Sequence, residues 1–352
     1  MAGAQALRRL NEQGFCPSAF RTLVGASGGP KWFVLYGLDR YLFGEFFAGR
    51  GEPLDTLGSS AGAWRMSCLA RANPVGAIDR LAALYSNERY STRPDAVEVT
   101  EKARHMLEEV LGTHGSAEIV ANKIIRSHFV AARCRGPMSS RSQWILGTGL
   151  FSAALANIAD RRLISTCFER TIFDNCDGPS PFADFNDLST AEAKLTVDNL
   201  PDVLIASGSI PFALSGVRNI EGAKPGLYLD GGITDYHFDW PFSRNEDLVL
   251  YPHFYNHVIP GWFDKHLPWR RARGGNFSNV VVVAPTRDFV RSLPYGKIPD
   301  RRDFRTLDFS ARRSYWQAVL KESARLADDF AHLVETGDGI ERIQPFAEEK
   351  KE

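Results

Sequence analysis

The pentapeptide Gly58-Ser59-Ser60-Ala61-Gly62 constrains this chain more than any other stretch. A short extended run, residues 54–57, leads into it, and a helix-compatible run, 61–70, leads out. G-x-S-x-G between a strand and a helix permits a sharp, strained turn, because its small residues leave space where larger side chains collide. The apical serine then points outward, beside the first N–H groups and positive dipole end of the following helix. Ser60 is therefore the candidate nucleophile. Glycine and serine also crowd into ordinary turns, so the pentapeptide alone leaves a turn without chemistry open.

A similar unit precedes it. Residues 20–24 read as a strand, Gly25-Ala26-Ser27-Gly28-Gly29-Pro30-Lys31 as a glycine-rich loop, and 32–47 as a helix with apolar residues near the 3.6 period. Pro30 suits the first turn of that helix, where its missing donor is no loss. Consecutive strand–loop–helix units predict an α/β layer fold with its functional loops gathered at strand ends. Ser27 also sits in a G-x-S-x-G match, Gly25 to Gly29, and is a competing nucleophile.

Further along, 203–205, 226–229, 248–250 and Val280–Val283 read as buried strands. The stretch 77–151 reads mainly as helix with a strand at 128–132, and 311–334 as one long final helix. Without repeats or a low-complexity linker, the pattern predicts one domain over 1–340, a helical insertion at about 100–165, and a charged tail over 341–352. Inside the insertion, 144–158 is an apolar run between Arg141 and the Arg161-Arg162 pair. It is short and glycine-containing for a membrane span. It reads as a buried or capping helix, or as an interfacial segment with tryptophan and arginine at a lipid boundary.

Composition narrows the partners. The 352 residues carry 42 Lys+Arg against 42 Asp+Glu, so no overall field favours nucleic acid, and none is expected as a partner. Five scattered cysteines without a C-x-x-C pair argue against a disulfide framework or a thiolate zinc site, and for a reducing, cytoplasmic setting. The N-terminal segment, with two arginines in its middle, reads as a short surface helix rather than an export signal. Asp235 and Asp239 beside His237 have no metal-ligand spacing, and neither glycine-rich loop has a nucleotide-binding pattern, so no metal and no cofactor is expected.

Three loops now follow predicted strands: Gly25 to Lys31, Gly58 to Gly62, and Asp230-Gly231-Gly232. Together with Ala206-Ser207-Gly208-Ser209-Ile210-Pro211, their content and order resemble the patatin-like phospholipases, serine lipid acyl hydrolases with an oxyanion loop, a G-x-S-x-G serine, an A-S-x-x-x-P segment and a D-G-G turn. The resemblance covers about residues 20–240. Lys31-Trp32 stands where the family carries arginine followed by glycine, and no asparagine–proline pair follows Asp230 closely. Lysine keeps the charge without the guanidinium fork.

The resemblance implies a three-layer α/β/α sandwich, patatin-like, in which Asp230 acts directly as base to Ser60 without a histidine. An ordinary aspartate is ionised far below neutrality and is a weak base, so this role requires Asp230 to be enclosed. Gly28 and Gly29 fit as oxyanion donors, Pro30 cannot donate, and Lys31 orders the loop by its charge. The expected partner is a lipid or acyl-ester substrate, with peripheral membrane contact open. A Ser–Asp–His triad stays open through His237, His253, His257 and His266. Two other functions stay open as well: a non-catalytic lipid-binding or scaffold protein, and an esterase or thioesterase on soluble acyl substrates.

Overall fold

The computed structural model describes residues 1–346 except 141, 184, 186, 243–246 and 273. Arg141 and the tail from 347 lie outside the described residues. Nine strands form one sheet among the described residues: β1 (Phe20–Gly25), β2 (Leu54–Ser59), β3 (Ile125–Cys134), β4 (Phe168–Asp174), β5 (Thr190–Lys194), β6 (Val217–Arg218), β7 (Leu227–Asp230), β8 (Leu248–Pro252) and β9 (Val280–Val283). The spatial order is β5-β4-β3-β2-β1-β8-β9, with β7 on β3 and β6 on β7. From β3 through β2, β1 and β8 to β9 every pairing is parallel. β2 and β8 are buried along their whole length, polar Asp55, Thr56 and Ser59 of β2 included, because helices cover both faces of the sheet. The result is a three-layer α/β/α fold with a mostly parallel central sheet.

The register of β3 places the functional loops. β2 pairs with it from Leu54 opposite Ile125 to Ser59 opposite Val130. β4 takes the other edge, from His128 to Cys134, so β7 must continue on the edge β2 has vacated, running antiparallel with Asp230 opposite Ala131. β2 and β7 thus meet end to end, their C-termini abutting on consecutive residues of β3, about 3.3 Å apart. Gly231 makes the approach feasible, since a Cβ there would lie 2.1 Å from the Val130 oxygen.

Several elements depart from the periodicity reading. Residues 203–205 lie not in a strand but in the helix Leu200–Gly208, since a short, fully buried apolar run carries no period to separate the two. Within 100–165, read as a helical insertion, the helices Ala96–Leu111 and Gly115–Ala121 lead straight into β3, in the middle of the sheet. The helix expected at 32–47 is a 3₁₀ segment Gly29–Leu35, an α-helix Tyr36–Tyr41 and a π segment Leu42–Phe46. The one expected at 311–334 is two, Phe309–Glu322 and Ala324–Thr336, parted at Ser323. These two irregularities touch: Ser323 Oγ accepts from the Gly37 N–H at 2.8 Å, and a Cβ on Gly37 would lie 2.4 Å from the Ser323 oxygen. At the β9 edge, Ala2 bridges both Val281 and Pro345, so both ends of the described chain cover an edge that would otherwise invite pairing.

Candidate active site

Ser60 caps the helix Ala61–Leu69 with φ 54° and ψ −129°, a backbone region sparsely populated by residues other than glycine. The neighbours that make this turn feasible are glycines for a steric reason. A Cβ on Gly62 would lie 1.9 Å from the Gly25 oxygen, and one on Gly58 would lie 2.7 Å from the Ala63 backbone. The Ser60 N–H donates to Ser207 Oγ at 2.9 Å, and Ser207 Oγ donates to the Val130 oxygen at 2.7 Å, so the elbow is tied to β3.

Ser60 Oγ donates to Asp230 Oδ2 at 2.9 Å, and the other carboxylate oxygen accepts from the Gly232 N–H at 2.7 Å. Ser60 is 3% and Asp230 6% exposed. Burial pushes the Asp230 carboxyl above the ordinary carboxylate range, opposed by Arg301, the Gly232 amide, the Ser60 hydroxyl and Lys265. The segment Ala206 to Pro211 holds both partners, because besides Ser207 its carbonyls at Ser207 and Ser209 accept from Gly231 and Asp230 N–H groups.

Gly28 and Gly29 open the neighbouring loop, and among the described residues neither N–H has a hydrogen-bond partner. Gly29 adopts φ 55°, and a Cβ on Gly28 would lie 2.6 Å from the Phe254 ring. Lys31 Nζ donates to the Tyr236 hydroxyl at 3.1 Å and stands within 5.8 Å of the Tyr236, Phe254 and Tyr255 ring centres. Burial lowers its pKa. The lysine therefore fastens the glycine loop to the segment following Asp230.

The competing assignments have different geometry. Ser27 Oγ donates to the Ser59 oxygen at 3.0 Å and also contacts Ser59 Oγ, so its hydroxyl is engaged away from Asp230. Among the described residues no histidine hydrogen-bonds to Ser60 or Asp230. His237 and His253 are buried against each other, ring centres 4.3 Å apart, and burial lowers both pKa values, His253 to about 3. Asp235 forms a buried double contact with Arg170, both at 2.7 Å, and Asp239 accepts from Asn276 at 3.1 Å, so both carboxylates have protein partners. Asp55, His128 and Cys176 bring ligand-type atoms within 4.8 Å of one another. They lie toward the opposite end of the sheet, where Arg126 already pairs with Asp55.

Two cavities open on Ser60. One is a narrow slot walled by Ile210, Pro211, Asp230, Ile233, Tyr236, Trp262, Lys265 and Arg301. Lys265 Nζ lies 4.0 Å over the Tyr236 ring, and burial with the nearby Arg301 and Lys31 charges lowers its pKa to about 7. The other, about 290 Å³, is apolar and is walled by Trp64, Tyr85, Val99, Ala103, Met106 and Leu214 among others. Its wall is the helix Ala96–Leu111 rather than residues 144–158. Sequence reasoning missed Ser207, Lys265 and Arg301. The A-S-x-x-x-P match was a signal for Ser207, whereas the two cations lie in a region without any motif.

A model of the patatin-like phospholipase family matches residues 56–237, more than half of the chain. The chain belongs to that family. The matched span carries the Ser60 elbow, the Ala206 to Pro211 segment and the Asp230 turn of this patatin-like protein, while the Gly25 to Lys31 loop precedes it and Lys265 and Arg301 follow it. The family points to hydrolysis of lipid esters. No curated protein matches the chain.

Proposed function

We propose that this protein is a lipid acyl hydrolase of the phospholipase A or esterase type, cleaving carboxylic esters through an acyl-Ser60 intermediate with Asp230 as base. The observation that carries the reading is the 2.9 Å hydrogen bond from Ser60 Oγ to Asp230 Oδ2 inside a buried turn, and it is supported by the Gly28 and Gly29 amides, which have no hydrogen-bond partner among the described residues.

Asp230 takes the Ser60 proton as Oγ attacks the ester carbonyl. The oxygen that becomes negative points to the Gly28 and Gly29 N–H groups, which are fixed before the reaction and need no reorganisation. Collapse of the tetrahedral intermediate releases the alcohol, which takes the proton from Asp230. Water then attacks the acyl enzyme, with Asp230 again accepting a proton, and the freed Ser60 is reprotonated. The acyl chain occupies the apolar cavity beside Trp64 and Met106, and Lys31 keeps the glycine loop in place. No metal or cofactor takes part in this scheme. The partner is the lipid ester itself, met at a membrane face. We place the protein in the cytoplasm, in keeping with its five free cysteines, and residues 1–340 as one catalytic unit.

A fluorophosphonate probe tests this reading. We expect stoichiometric labelling at Ser60, lost in Ser60→Ala together with ester hydrolysis. A folded protein that takes no label is a lipid binder or scaffold on the same fold, and one labelled at Ser27 has its nucleophile on the other loop.

A further inference from the structure

The helix Gln143–Ala159 carries no charged residue in 17 positions and yet lies on the surface. One side of it is buried through Leu150, Ala153 and Asn157, packed toward Ile164, Leu229 and Ile233. A second, largely apolar stripe runs along the other side at alternating four- and three-residue spacing: Trp144, Phe151, Leu155 and Ile158, with Thr148 between the first two turning its hydroxyl back to the Trp144 and Ile145 carbonyls. Trp144 is 85% and Phe151 67% exposed. A soluble surface helix places polar residues there, so apolar side chains on both sides mean two apolar surroundings, one of them supplied from outside.

An independent feature adjoins this stripe. Phe212 is half exposed with φ 66°, a conformation in which a bulky aromatic residue is a genuine outlier. It contributes to an open groove with Trp144, Gly147 and Phe151, and its chain neighbours Ile210 and Pro211 line the slot over Ser60. The apolar surface is therefore continuous with the mouth of the site. At the far end of the helix, Arg270 donates to the Asn157 and Ile158 carbonyls, bringing exposed Trp269 and Arg271 alongside, and exposed Arg162 follows the helix directly. Asp160 is the acidic residue among them, and it accepts from the Arg162 N–H.

We propose that the exposed face of Gln143–Ala159, with Phe212, docks onto an anionic lipid bilayer and presents the mouth over Ser60 to the membrane. This rests on the hydrolase reading only for what is cleaved after docking. The choice of occupant follows from the lipid-ester substrates of the family, which are held in membranes, and from the arginines at the helix end, which complement anionic headgroups. The exposed tryptophans at its two ends suit the boundary between headgroup and hydrocarbon.

Flotation with phosphatidylcholine vesicles containing phosphatidylglycerol tests the proposal, using wild type, Ser60→Ala and a Trp144→Ala/Phe151→Ala/Leu155→Ala triple variant. The three substituted side chains lie on the surface, so the variant is expected to keep its thermal midpoint. Wild type and Ser60→Ala are expected to float equally, and the triple variant to lose at least about ten-fold in vesicle partitioning. The variant is also expected to lose cleavage of vesicle lipid while keeping hydrolysis of a water-soluble short-chain ester. Loss of ester hydrolysis in all proteins, with flotation intact, sinks the hydrolase reading and leaves the docking face standing. Equal flotation of the triple variant, or wild type that ignores the vesicles, overturns the docking face. So does a dimer of the free protein that the triple substitution splits, because a second copy is then the occupant.

Discussion

Asp230 is held in conflict between folding and chemistry. Its folded pKa is raised, so the native state favours the neutral acid, and the stability this contributes is lost as pH rises through the folded value. The ionised form, which the proposed mechanism uses as base, is therefore the one the fold disfavours. Asp230→Asn keeps an oxygen to accept from Gly232 and removes the buried charge. We expect it to lower ester hydrolysis at least about 10³-fold while raising stability by about 1 kcal/mol, read by parallel rate and denaturant measurements. A loss of stability with the loss of rate shows that the carboxylate supports the fold instead. Lys265 gives the opposite limb. With a pKa near 7 it is charged below neutrality and neutral above. For an anionic phospholipid, kcat/KM is expected to rise with ionisation of Asp230 and to fall again as Lys265 deprotonates near pH 7. A neutral ester shows only the rise, and Lys265→Met abolishes the difference.

At the level of elements, the apolar cavity belongs to the helix Ala96–Leu111, whose Val99, Ala103 and Met106 face it. Ala103 is its smallest contribution from that helix, so a larger side chain there shortens the cavity without touching Ser60. Ala103→Phe is expected to lower kcat/KM for long acyl esters by roughly 10–200-fold and to spare a short-chain ester, measured over a chain-length series. A uniform loss across the series places the acyl chain elsewhere. The elements holding the site were partly legible beforehand: residues 20–24 and 54–57 announced β1 and β2 as short extended runs ending in glycine. Residues 203–205 were not, because a buried helix turn and a buried strand present the same short apolar run. The strand read at 128–132 does fall within β3, but only its pairing with β2 and β4 puts it inside the sheet rather than in a helical insertion.

For the molecule as a whole, the family match ends at residue 237, but the sheet does not. β8 pairs with β1 and β9 with β8, and the later chain also supplies Lys265 and Arg301 to the slot over Ser60. A fragment of residues 1–240 exposes the apolar edge of β1. It is expected to lack a cooperative thermal transition by circular dichroism, whereas residues 1–346 retain one; a cooperative, labelled fragment shows that the matched span folds alone. The amino-acid sequence by itself determined the α/β character, the strained serine turn and the identity of its glycines, because these depend on local sterics and on runs a few residues long. Tertiary structure alone decided that β7 meets β2 head to head on β3, that Asp230 thereby reaches Ser60, and that two distant cations overlook them. Such contacts join residues tens to hundreds of positions apart, and only the register of the sheet and the packing of its layers bring them within hydrogen-bonding range.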